Sequence, residues 1–335
     1  MTKKNILLTG ASGTVGFEAL LQLIDKKIYN VTVFDKETKQ SSLKLLPYKD
    51  QVNVIFGDIS VAKDLEAIKD IDFVIHLAAI IPPVADDFPE LAKKVNLIGT
   101  QNLVDQLEKH SPNAFLMYSS SISVYGDRIL KPFIKVGDAL RPSEGDYYAT
   151  TKIAAEEYIQ KSKLDYTIFR LAAIMGNHKI SKLMFHQPLD TSLEIATPRD
   201  TARAFVNGIE NQNELSKRIF NLGGGESCRA SYEDFLQRSF TIFGLGKLNF
   251  PKHAFADKNF HCGYYADGDD LENIVHFRQD TIDDYFKMEA AKVSSIRKFV
   301  TSLLKTPIKW FLLKKSEPYQ AYKDKDIVQM NHYFN

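Results

Sequence analysis

The stretch TGASGTVG, residues 9–16, constrains the fold of this chain more than any other feature. The apolar run NILLT (5–9) leads into it, and an amphipathic helical pattern, VGFEALLQLIDK (15–26), leads out. Gly10, Gly13 and Gly16 therefore fall at G-x-x-G-x-x-G spacing between a strand and a helix. Glycine suits that junction because the turn is tight and the backbone must come close to a pyrophosphate. The amides of the helix N-terminus, with its partial positive charge, then hold the anion. A glycine triplet by itself is a weak signal, and the plain alternative is a turn that binds nothing. The strand before and the helix after make it a dinucleotide-binding loop.

The same strand-then-helix grammar repeats. Short apolar runs stand at 5–9, 31–35, 52–56, 72–77, 114–119, 166–171 and 218–222, with helix-length patterns such as 15–26 and 95–110 between them. Continuous apolar runs are strands buried on both faces, and intervening helices imply parallel crossovers. The expectation is an α/β chain with a Rossmann-type doubly wound parallel sheet. Residues 1–175 would form this dinucleotide-binding domain, completed by a strand–helix excursion near 197–222. Segments 176–196 and 223–290, richer in loops, Gly and aromatics, would form a smaller C-terminal substrate lobe. Residues 291–335 would be a basic amphipathic tail.

Composition removes several functions. A net charge of +1 across 335 residues predicts no nucleic-acid partner. The two cysteines, Cys228 and Cys262, offer no disulfide framework, which suits a reducing compartment. The start, MTKKNILLTGASG, is too short in apolar residues for a secretory signal, and no run of about 18 apolar residues spans a membrane. The expected location is cytoplasmic.

Asp35 ends the second strand, 19 residues beyond Gly16, where a carboxylate can accept from both adenosine ribose hydroxyls. A 2′-phosphate there would face that charge, so NAD is favoured over NADP. Lys36 is the complication, since a neighbouring cation could receive the phosphate. Asp58, after the third strand, reaches toward the adenine edge, and Leu77, Ala78 and Ala79 end the fourth strand with room for a cofactor to pass. His76 reads as a packing residue.

These motifs in this order (TGASGTVG, Asp35, GDIS, HLAA, VNLIGTQNLV, SSSISVYGD, YYATTK, RLAAIMG and FNLGGG) resemble the extended short-chain dehydrogenase/reductase family, the NAD-dependent epimerases and dehydratases of sugar nucleotides. The resemblance covers residues 5–285. It implies a Rossmann-type domain with a small substrate domain, and a homodimer. The cofactor contacts it implies are Gly10, Ser12, Gly13, Thr14, Val15, Gly16, Asp35, Lys36, Asp58, Ile59, Leu77, Ala78, Ala79, Asn96, Ser119, Tyr148, Lys152 and Ala173. For Asn96 the bland alternative is a capping or surface amide. Arg170 reads equally as an ion-pair partner or a cofactor contact.

The segment GDYYATTK carries the chemistry. A free phenol titrates at about pH 10, too high for a base at neutral pH. Residues four apart share a helix face, so Lys152 can stand beside Tyr148 and stabilise its phenolate. Tyr147 has Thr151 at that spacing, which supplies no charge, so Tyr148 is the acid/base residue. Counting back from VYG in the family's manner makes Ser121, 27 residues earlier, the hydroxyl that orients the reacting oxygen. One or two of Ser119, Ser120 and Ser121 would instead make backbone bonds at a strand end.

Departures from the family pattern bear on substrate. The run Ser121-Ile122-Ser123 lacks the Asp-Glu pair of 4,6-dehydratases, which disfavours dehydration. The arginines that clamp a diphosphate in many family members are missing: Ser192, Leu193 and Glu194 stand in one region and HCGYYADGDD in the other, with Arg199 the remaining candidate. His261 with Cys262 is too small a set for a metal, and none is assigned. The expected activity is an NAD-dependent oxidoreductase or epimerase working on a hydroxyl or keto group of a sugar or sugar nucleotide. The alternatives are an NAD(P)-dependent reductase of a non-nucleotide carbonyl and a non-catalytic dinucleotide sensor. Finally, residues 291–316 hold seven basic residues and no acidic one, with Ile296, Phe299, Val300, Leu303 and Leu304 at helical spacing and a second helix expected from Thr306 as cap and Pro307. Such a segment either contacts a membrane surface peripherally or packs on its own protein.

Overall fold

The computed structural model describes residues 3–176 and 182–334. Residues 177–181 of the first expected lobe segment, and the ends of the chain, lie outside the described residues. Seven parallel strands build the main sheet: β1 (Lys4–Thr9), β2 (Tyr29–Asp35), β3 (Asn53–Phe56), β4 (Phe73–His76), β5 (Phe115–Ser121), β6 (Asp165–Leu171) and β7 (Arg218–Leu222). Their order is β7-β6-β5-β4-β1-β2-β3. The winding reverses between β1 and β4, which opens a crevice at the carboxyl ends of those two strands.

Alternate residues of a strand face opposite sides of a sheet, and both sides here are covered. Ile6 and Leu8 join Leu20, Leu23, Met117 and Phe205 on one face. Leu7 joins Val74, Leu103, Leu107 and Leu116 on the other. The helix Thr14–Lys26 lies against the helix Pro198–Gly208 across the first face. On the second face a π-helical turn, Lys93–Ile98, runs into the helix Gly99–His110 and beside the helix Tyr147–Lys161.

A smaller sheet forms where Ser192–Ala196 pairs with Ala173–Ile174 and Arg229–Ser231. Beside it the helices Tyr232–Ile242 and Ile282–Ala291 pack through a stacked Phe235–Tyr285 pair, 5.6 Å between centroids. The C-terminal segment divides in two. Ser295–Leu303 has no buried residue, whereas Lys305–Leu313 docks through Ile308, Leu312 and Leu313. This second helix begins at Lys305, so Thr306 is not its cap; Thr306 and Pro307 sit in its first turn, where a missing N–H costs nothing. The last helices, Glu317–Asp324 and Ile327–Tyr333, leave the surface and return: Ser316 Oγ donates to the Ala254 carbonyl at 2.6 Å, and Asp257 N–H donates to the Tyr333 carbonyl at 2.8 Å.

Candidate active site

The crevice beside β1 is shaped by its glycines. Gly10 has φ +73°, and a Cβ on it would sit 2.8 Å from the backbone of Ala78. A Cβ on Gly16 would come within 2.1 Å of the Gly10 carbonyl oxygen. The helix Thr14–Lys26 starts behind Gly13 with no side-chain cap, leaving its first amides to an anion. Asp35 faces this loop and accepts from Ser12 N–H at 2.6 Å and from Lys36 N–H at 2.8 Å. Lys36 spends its ammonium on Asp58 at 2.6 Å. Partial burial alone would raise the Asp58 carboxyl, but hydrogen bonds from Lys36 and Ser60 hold it down at about 2. The glycine loop, its uncapped helix and Asp35 together suit a dinucleotide.

Other expected contacts are divided between crevice and core. Leu77 and Ala79 line the cleft, and the amides of Leu77 and Ala78 are held by Thr9 Oγ1, both at 3.2 Å. Ile59 is buried in the core close to Gly99. Asn96 is wholly buried; its carboxamide oxygen accepts from Ile80 N–H at 2.8 Å, and its Nδ2 donates to the Ile80 carbonyl and to Thr151 Oγ1. It splints the wall of the crevice onto the helix that carries Tyr148. His76 is enclosed between Thr9 and Thr100, and burial together with the Lys152 charge lowers it to about 3, a neutral packing residue.

The three serines ending β5 part ways. Ser119 Oγ donates to the His76 carbonyl at 3.0 Å. Ser120 Oγ donates to Glu156, which also grips Arg170 at 2.7 Å in a buried ion pair. Arg170 is thereby a structural partner. Ser121 lines the cleft, and its oxygen accepts from Ser123 N–H at 3.2 Å and Ser123 Oγ–H at 3.0 Å. With both acceptor directions taken, its own proton is left to donate to the Tyr148 phenol oxygen, which borders the same cleft. Ser123 was not singled out from sequence; its only signal is the S-x-S spacing at a strand end.

Tyr148 and Lys152 sit one helical turn apart on the helix Tyr147–Lys161 and both border the cleft. Asp146 caps that helix by accepting from Ala149 N–H at 2.8 Å, and His261 approaches the same carboxylate at 3.0 Å. His261 is thus placed at the helix start instead of forming a metal pair with Cys262. Burial pushes the Tyr148 phenol well up, and the Ser121 hydroxyl offsets part of that rise. Burial also brings the Lys152 ammonium down to about 7, against the pull of Glu156. Its hydrogen bond goes to the Ser119 carbonyl at 2.7 Å, and it lies 5.7 Å from the Tyr148 ring centre and 4.7 Å from Tyr118. The side chain that the spacing sets beside Tyr148 therefore shares its charge with a strand end and a second phenol. Tyr147 is more than half exposed and outside the cleft lining.

The cleft encloses about 700 Å³ and runs from the glycine loop, past Ser121, Tyr148 and Ala173, to the helix Tyr232–Ile242. Glu317, His332 and Tyr333 of the returning C-terminal segment form part of its wall. Nothing in the sequence of that segment marked it as cleft-forming. Of the expected diphosphate-holding positions, Glu194 is buried against Arg229 at 2.9 Å, and Arg199 is paired with Asp280.

The family model described as NAD dependent epimerase/dehydratase family matches residues 6–223. D-erythronate dehydrogenase of Cupriavidus necator is 26% identical over 269 residues, 70% of this chain and 81% of that one. The 3 beta-hydroxysteroid dehydrogenase/Delta 5-->4-isomerase of Mycobacterium tuberculosis is 29% identical over 221 residues, 62% of this chain and 57% of that one. Among solved structures, UDP-glucuronic acid 4-epimerase from Bacillus cereus, in complex with UDP-glucuronic acid and NAD, superposes with a TM-score of 0.70 at 21% identity, covering 86% of this chain and 98% of its own.

Proposed function

Because this chain belongs to the NAD dependent epimerase/dehydratase family, we propose that it is an oxidoreductase or epimerase acting at a secondary hydroxyl or the matching ketone, with Tyr148, Lys152 and Ser121 at the reacting oxygen. NAD held in the glycine crevice supplies the hydride chemistry. Gly10, Gly13, Gly16 and the first amides of the following helix would hold its pyrophosphate, and Asp35 its ribose.

The observation that carries the reading is the state of the Ser121 hydroxyl. Its oxygen is filled by Ser123 and its proton is directed to the Tyr148 phenol, so a substrate oxygen entering the crevice would be held between these two hydroxyls. Tyr148 takes the hydroxyl proton when the substrate is oxidised and returns it on reduction. Lys152, titrating near neutrality, can hold or release a proton beside that phenol. Tyr148→Phe removes the acid/base group while leaving the ring. The expected outcome is a loss of turnover on the order of 10²–10⁴ with NAD affinity retained, read by absorbance of reduced cofactor and by NADH fluorescence titration. Unchanged turnover would overturn the assignment.

Two substrate readings have specific support. A sugar or sugar nucleotide is supported by the ligand of the superposed Bacillus cereus epimerase. A carbonyl compound without a nucleotide is supported by the ion pairs of Glu194 with Arg229 and of Arg199 with Asp280, which leave neither side chain offered to a diphosphate. Peripheral membrane contact is supported by the helix Ser295–Leu303, whose Ile296, Phe299 and Leu303 are exposed among basic residues, and by exposed Trp310 and Phe311 on the next helix.

A further inference from the structure

One helix supplies an apolar wall of the cleft. Tyr232, Phe235, Leu236, Ser239, Phe240 and Phe243 follow at i, i+3, i+4, i+7, i+8 and i+11, so a single stripe of the helix Tyr232–Ile242 and its C-cap lines the cavity. Tyr285 lines it from the neighbouring helix, and Leu183 and Met184 add to the apolar wall. Apart from the Tyr232 and Tyr285 hydroxyls and Ser239, the stripe offers nothing polar, and Ser239 Oγ is occupied by the Phe235 carbonyl at 2.9 Å.

The charges on the remaining wall point the same way. Asp86, Asp87, Glu144, Asp146, Glu289 and Glu317 border the cleft, against Lys152, Lys182 and three imidazoles, of which His186 faces Glu317 at 2.8 Å and His261 faces Asp146 at 3.0 Å, with His332 the third. Lys182 is held between Asp87 at 2.9 Å and Glu317 at 3.0 Å, and Lys152 lies at the reaction centre. Among the described residues no arginine borders the cleft. A diphosphate carries two negative charges that a buried site must meet with cations or a row of backbone donors. Here it would meet carboxylates and aromatic rings.

Resting on the assignment of Tyr148 and Ser121 as the reaction centre, we infer that the substrate is an uncharged, lipid-like secondary alcohol or ketone whose hydrocarbon body lies along the Tyr232–Phe243 stripe. The position of the exposed basic helices fits this. Phe243 is the last residue of the stripe along the helix, and Arg297 of the helix Ser295–Leu303 lies 6.0 Å over its ring. The next residue, Gly244, has the Lys298 backbone packed on it. A molecule dissolved in a membrane beneath that helix is therefore beside the apolar wall of the cleft.

A chain-length series tests the inference on the full-length protein. NADH-dependent reduction of 2-alkanones, from 2-butanone to 2-dodecanone, is expected to show KM falling roughly two- to fourfold per added methylene while the chain extends along the stripe. Nile red bound without cofactor is expected to be displaced by 2-dodecanone and not by UDP-glucose. Ser239→Asp, which places a carboxylate in the stripe, is expected to raise KM for 2-dodecanone at least tenfold and to flatten the series. NADH fluorescence titration of this variant reports that it is folded. A KM independent of chain length, an unaltered series in Ser239→Asp, or Nile red displaced by UDP-glucose and not by 2-dodecanone would each overturn it. Tyr148-dependent turnover of UDP-glucose would sink the substrate class and leave the reaction assignment standing. If Tyr148→Phe changes no turnover, the reaction assignment fails, and Nile red displacement still decides what the pocket holds.

Discussion

Lys152 is 2% exposed and makes its hydrogen bond to a backbone carbonyl. Its ordinary value of 10.5 falls to about 7 because burial penalises the ammonium. Between those values the unfolded chain binds more protons than the folded one, so the stability withheld by this group returns as pH rises from about 7 toward 10.5. Lys152→Met is therefore expected to stabilise the fold by roughly 2–4 kcal/mol at pH 7 and below, with the gain vanishing near pH 10.5 and turnover lost. Thermal melts across pH check it; a destabilised variant at pH 7 would count against the burial argument. At this scale the sequence was partly legible. Helical spacing paired Tyr148 with Lys152, but Ser119, Ser120 and Ser121 carry identical side chains, and only their partners separate their roles: His76 and Glu156 from distant segments, and Ser123 from two residues on.

Among the elements, the strand–loop–helix at the N-terminus is almost wholly local in origin. Its strand is an apolar run, its helix an amphipathic one, and its turn needs Gly10 for a positive φ and Gly16 for close approach. Gly16→Ala is expected to push the loop open, since its Cβ would overlap the Gly10 carbonyl. The predicted result is a stability loss of about 1–3 kcal/mol and NADH affinity weakened at least tenfold, measured by denaturant melts and fluorescence titration. An unaffected affinity would mean that the loop does not hold the pyrophosphate. The start of the helix Tyr147–Lys161 was also written locally, as an aspartate at the N-cap. The π-helical turn Lys93–Ile98 was not, because its geometry follows from how Asn96 must reach Ile80 and Thr151.

Across the whole molecule, the C-terminal segment serves two regions. Residues 295–313 present Ile296, Phe299, Leu303, Trp310 and Phe311 outward with basic neighbours, while Glu317, His332 and Tyr333 complete the cleft. Deleting everything after residue 291 would damage both, so point changes are the cleaner probe. Phe299→Glu with Leu303→Glu is expected to reduce co-sedimentation with phosphatidylcholine–phosphatidylglycerol vesicles at least tenfold, and wild type is expected to bind pure phosphatidylcholine vesicles more weakly. Equal binding by the variant would remove the membrane reading. Among the described residues no helix is long and apolar enough to cross a membrane.

The sequence by itself determined the parallel sheet, the glycine crevice with Asp35, and the Tyr148–Lys152 spacing, because each follows from apolar periodicity or from residue spacing that can be counted along the chain. Only the tertiary structure decided which serine meets the Tyr148 phenol, where Arg170 and Asn96 spend their polar groups, and that residues 232–243 and 317–333 share one cavity with the glycine loop. Those outcomes depend on contacts between segments far apart in the chain, and a polar side chain's role is set by which buried partner reaches it first. Periodicity and spacing carry no record of that.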